Sequence, residues 1–120
     1  MASESADVHV AERALARGEA ASSVRVAAQR GALTVEVVRP SFCATLVSAV
    51  ASRASGAIDV IASVGGNPLA LCSPLQQGWV VVYEVTIPRV ASGLVTVRLF
   101  ELVGNLPPAL RGQARVSVPD

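Results

Sequence analysis

The chain contains no lysine: all ten of its basic residues are arginine. It has one histidine, one tryptophan, one tyrosine, two phenylalanines and two cysteines. Each shortage excludes something. The arginines are scattered from Arg13 to Arg115 and the net charge is +1, so no basic stripe marks a nucleic-acid partner. Exclusive use of arginine reads as the codon preference of a GC-rich genome. Nucleophilic catalysis by serine or cysteine usually needs a histidine base. The single one, His9, lies near the start of the chain and reads as an exposed bystander. A zinc site needs about four Cys or His ligands, and three such residues do not supply it; no cofactor is expected. No uninterrupted apolar run reaches about 18 residues, so no transmembrane span is expected. The opening MASESADVHVAERALARG has no basic-then-apolar signal pattern.

What is present is valine and alanine. The hydrophobic fraction is 52%, with aromatics only 3% and charged residues 16%, so the core must be built from small β-branched units. A chain of 120 residues suits one domain. Residues 1–22 are more acidic than the rest. ADVHVAERALARG fits two turns of helix, and VHVA fits a short strand. The segment reads as a flexible or weakly structured leader, with the folded domain spanning 23–120.

From Val24 onward apolar residues recur with period two, the signature of half-buried strands. Val24 and Val26 flank Arg25, and Leu33, Val35 and Val37 alternate with polar partners across a turn at 29–31. ATLVSAVAS and AIDVIASV form a second hairpin around RASG at 53–56. Trp79, Val81, Tyr83, Val85 and Ile87 share one face of the next strand. Val95, Val97 and Leu99 point inward from the one after it. ARVSV closes the chain. These runs and their turn signals predict an all-β domain, an antiparallel β-sandwich of about seven strands.

Cys43 precedes the first arm of the second hairpin, and Cys72 follows the second arm. The open end of a hairpin brings such positions together, which leaves a disulfide or a pair of buried thiols. A bridge would stabilise the fold by about 3.5 kcal/mol in the chain-entropy model. It would also imply an oxidising compartment: secreted, periplasmic or cell-surface.

The succession Cys43, the arms through Val64, Cys72, Tyr83, Ile87, Gly93, Val95 and Val97 resembles small bacterial secreted or lipoprotein domains of immunoglobulin-like fold. Most of these have no known function. The likeness spans roughly residues 24–118 and implies a β-sandwich, with a lipid anchor possible in a precursor. Such domains often carry a tyrosine two residues after the turn glycine; Val95 stands there in this chain.

Glu36, Asp59, Glu84 and Glu101 alternate with apolar residues along strands and read as a solvated sheet face rather than a catalytic pair. Trp79 and Tyr83 are core candidates before they are a sugar-stacking pair. Leu94, Phe100 and Leu102 fall opposite the core residues of their strand and form an apolar stripe, a candidate interaction surface. The leading expectation is a non-enzymatic, extracytoplasmic interaction or structural module that meets a protein partner or itself. A carbohydrate- or small-ligand-binding module is the alternative. A hydrolase using an acidic pair comes third.

Overall fold

The computed structural model describes residues 3–40, 45–66 and 78–120. Eight strands account for most of them: β1 (Ser3–Ala14), β2 (Ser23–Gln29), β3 (Ala32–Pro40), β4 (Thr45–Ala54), β5 (Ala57–Gly66), β6 (Trp79–Pro88), β7 (Gly93–Val103) and β8 (Ala109–Val118). The all-β expectation holds. The sandwich does not: the strands form a single sheet in the order β2-β3-β6-β1-β4-β5-β7-β8, bent until its two ends nearly meet. The result is barrel-like, and flattened, with principal extents of 46 × 32 × 20 Å. The shortest dimension suits two layers about 10 Å apart.

Two further corrections concern topology. Neighbouring strands are not all antiparallel, because β5 and β7 pair in parallel from Ala57↔Thr96 to Val64↔Val103. Parallel neighbours need a long crossover. Here β6 (Trp79–Pro88) lies between them in sequence and belongs to the opposite half of the barrel. The expected leader is likewise no leader over its first part. Ser3–Ala6 pair with β4, and Asp7–Ala14 pair with β6. β1 therefore joins the two halves of the sheet, changing partners between Ala6 and Asp7. Its own alternation explains the placement: Ala6, Val8 and Val10 pack against the core while Asp7 and His9 face out. The sequence offers only VHVA as a short strand there, and tertiary pairing extends it to Ser3–Ala14.

The core holds Leu33, Val35, Val37, Val60, Tyr83, Val85, Ile87, Val97 and Leu99, all at most 1% exposed. Glutamates on the inward side of β1 sit at its two ends. Glu4 accepts from Arg53 at 2.7 and 2.9 Å, and Glu12 accepts from the Thr45 amide at 2.7 Å. Closure between β2 and β8 is made by side chains. A β-carbon on Gly112 would stand 3.0 Å from Val24 Cβ, and Arg111 Nη2 donates to Ser22 Oγ at 2.6 Å.

Among the described residues, no helix is long and apolar enough to cross a membrane. Cys43 and Cys72, the expected disulfide, lie outside the described residues.

Candidate functional site

Cross-strand partners share a face, so the pairing registers turn the outer surface into rows. On β1, β6, β3 and β2, one outward row runs His9, Glu84, Glu36, Arg25. It is polar or charged throughout, as expected of a solvated face. The other half of the barrel differs. Across β4, β5, β7 and β8 the row is Val50, Ile61, Phe100, Leu110. Val50 is 37% exposed and Leu110 is 53% exposed. Leu102 lies one outward step from Phe100 along β7, and Leu46 adds a further exposed leucine on β4. Four adjacent strands thus present one apolar band.

A polar row borders it: Ser52, Asp59, Arg98, Gln113. Arg98 grips Asp59 with two hydrogen bonds of 2.8 and 2.6 Å. Its Cζ also stands 5.3 Å from the centroid of the Phe100 ring. That stacking leaves Phe100 half-buried rather than fully wet.

Of the three sequence-predicted surface residues, Phe100 and Leu102 are together. Leu94 is not with them. It is 59% exposed, but Thr96 and Arg98 separate it from Phe100 on the outer side of β7. At roughly 3.3 Å per residue the gap is about 20 Å. Leu94 lines a cleft at the other end of the strand. Val50, Ile61 and Leu110 were not singled out by sequence. Each sits on its own strand, and only the register places them in one row.

The acidic residues also part company. Glu36 and Glu84 are direct cross-strand partners on the open charged face, with His9 on the far side of Glu84. Glu101 is the exception to the solvated reading, being only 3% exposed. Its position follows β7 parity: Val95, Val97, Leu99 and Glu101 all point inward. That parity was visible in the sequence. Glu101 Oε2 accepts from the Tyr83 phenol at 2.5 Å and stands 3.0 Å from Arg39 Nη1, while Oε1 stands 2.9 Å from Arg111 Nε.

Two local features make this cluster possible. Glu101's cross-strand partners, Ala62 and Ala109, are small and leave space around its carboxylate. On β8, Leu99 pairs with Gly112 and Phe100 with Leu110, so Arg111 is an extra, bulged residue. A bulge re-aims a side chain, and this one sends the Arg111 guanidinium to Glu101 instead of outward. Burial first, and the bond to Glu101 second, hold the Tyr83 phenol above its ordinary pKa. With both carboxylate oxygens engaged, the cluster is a brace between β6 and β3 on one side of the barrel and β7 and β8 on the other. Trp79, 37% exposed at the start of β6, is remote in character from the buried Tyr83, so the two make no stacking platform.

Among the described residues, no group of three His, Cys, Asp or Glu side chains is placed to hold a metal. Comparison with protein-family models, curated proteins and solved structures found no significant match to this chain.

Proposed function

We propose that the protein is a non-enzymatic, extracytoplasmic module that works by surface contact, through the outer face of β4, β5, β7 and β8. The row Val50, Ile61, Phe100, Leu110 carries this reading. Apolar area left in water costs about 25 cal/mol per Å², and contiguous apolar patches on sheet surfaces commonly mark interaction sites. The charged row on the opposite half shows that the fold does not require an apolar exterior. Two observations favour contact over chemistry. The carboxylates that meet, Glu36 and Glu84, do so on an open face, and the buried carboxylate is fully engaged in a brace.

Light scattering across a concentration series tests the self-associating form of this reading. The expected result is a mass that rises with concentration in the wild type and stays monomeric in Val50→Asp and Phe100→Ser. A wild type that remains strictly monomeric, with variants indistinguishable from it, would overturn self-association through this face. The compartment rests on Cys43 and Cys72. Unreduced protein exported by its native host should weigh about two daltons less than the dithiol form. Two freely alkylated thiols would remove the argument for an oxidising compartment.

A further inference from the structure

At the end of the barrel away from Glu101, a cleft of about 290 Å³ opens between the β4–β5 turn and the connection from β6 to β7. Its floor is the end of the core: Ile58, Val90 and Val95, at 4%, 7% and 8% exposure. Its mouth carries Arg53, Arg89, Ser92 and the exposed Leu94. An apolar floor beneath a cationic rim is an amphipathic site.

The two arginines are held differently. Arg53 is fixed: it bonds Glu4 Oε1, the Pro88 carbonyl at 2.5 Å and the Arg89 carbonyl at 2.6 Å. Arg89 is fixed only through its backbone. Its φ is +53°, the one left-handed non-glycine residue among those described, and that turn presents its carbonyl to Arg53. Such conformations persist where surrounding contacts enforce them, often at functional sites. The Arg89 side chain is 77% exposed and reaches Glu4 Oε2 only at 4.0 Å. Arg53 holds Glu4 closely, and Arg89 is the more exposed cation of the two.

We propose that this cleft binds a small organic anion, a single carboxylate carried on a short unbranched hydrocarbon group. Arg89 takes the carboxylate, with the Ser92 hydroxyl beside it, and the chain lies on Ile58, Val90 and Val95 against Leu94. The guanidinium of the exposed Arg89 side chain offers a carboxylate a two-point partner. The volume lies at the lower limit for ligand pockets, roughly 300–1,000 Å³, which restricts the chain to a few carbons. The proposal does not rest on the contact-surface reading, because the cleft and the Val50–Leu110 row are separate surfaces.

The test is a titration of the full chain with acetate, butyrate and hexanoate, followed by 1H–15N correlation spectra, with 1-hexanol as the uncharged control. The expected result is selective shifts at Gly56, Ser92 and Leu94. Affinity should rise about fourfold per added methylene. Hexanol should bind far more weakly than hexanoate. Arg89→Gln should weaken hexanoate by about tenfold or more, the loss of one charged hydrogen bond, and Leu94→Ser should flatten the chain-length dependence. The same spectra report whether each variant is folded. Shifts absent at the cleft, hexanol binding as well as hexanoate, or hexanoate binding unchanged in folded Arg89→Gln would each overturn the proposal.

Discussion

The phenol of Tyr83, on β6, donates a 2.5 Å hydrogen bond across the barrel interior to the Glu101 carboxylate on β7. The same carboxylate stands between the guanidiniums of Arg39 and Arg111. Removing the phenol or the carboxylate takes a partner from a charged group in a place where Glu101 is 3% exposed. Tyr83→Phe should destabilise by about 1.5–3 kcal/mol, the range for a hydrogen bond to a charged group. Glu101→Leu should cost about 3–5 kcal/mol, because two cations lose their shared anion. Urea unfolding measures both. A change below about 0.5 kcal/mol in either variant would show that the brace is not holding the halves together.

Tyr83 is also the chain's only tyrosine, so tyrosinate absorbance reports on it alone. Its folded pKa is raised, so its neutral form contributes stability that is fully present below the unfolded value of about 10 and declines as pH rises beyond it. The absorbance should therefore appear together with loss of near-UV circular dichroism. Ionisation at an ordinary pKa in still-folded protein would contradict the burial of this ring.

Glu36 and Glu84 face each other directly across β3 and β6. Like charges in that relation are destabilising, by roughly 0.2–1 kcal/mol. Glu84→Arg turns the repulsion into an attraction, and should raise the urea midpoint without changing the slope. A lowered midpoint would mean that these carboxylates are held together for a purpose other than stability.

Glu19 closes the loop after β1. Its carboxylate takes two bonds from Arg13 and one from the Ala16 amide. These bonds, Arg13's first, lower its pKa to about 2. The tether is complete above the unfolded carboxylate range, near pH 4.3, and should be lost as pH falls toward 2. The Ala16 amide shift in an acid titration is the readout, and Glu19→Gln should abolish the transition. An Ala16 titration centred near pH 4 would contradict the pairing.

At the seam, Gly112 leaves only the room that Val24 does not use. Gly112→Val should push β2 from β8 and destabilise by about 1–3 kcal/mol, the usual cost of overpacking. Unchanged stability would mean that the two strands are not in contact.

Period-two patterning located seven of the eight strands because each carries several valines or leucines on one parity. β1 escaped it. Its inward side mixes Ala6, Val8 and Val10 with Glu4 and Glu12, and the two glutamates bond Arg53 and Thr45, far along the chain. The inward position of Glu101 was legible from the parity of Val95, Val97 and Leu99. Its partners were not, since Arg39 is brought to it by another strand and Arg111 by a bulge. Likewise Phe100 and Leu102 were legible as a stripe, whereas Val50, Ile61 and Leu110 join them only through register. Barrel closure was out of reach for the same reason: it depends on how eight strands add their twist, not on any one of them.

The change of partners within β1 bears on how the chain folds. Val8 and Val10 wait for Val85 and Tyr83, and Ser5 and Ala6 wait for Val50 and Ala49. On a ribosome, Ser3–Ala6 therefore stay unmatched until β4 has been made, and Asp7–Ala14 until β6 has. Pairings so distant in sequence pay the loop-closure entropy early and collect their contacts late. The refolding rate should fall in the millisecond-to-second range of non-local β proteins, well below that of local hairpins. Until β6 arrives, the apolar side of β1 stays exposed to association with other nascent chains.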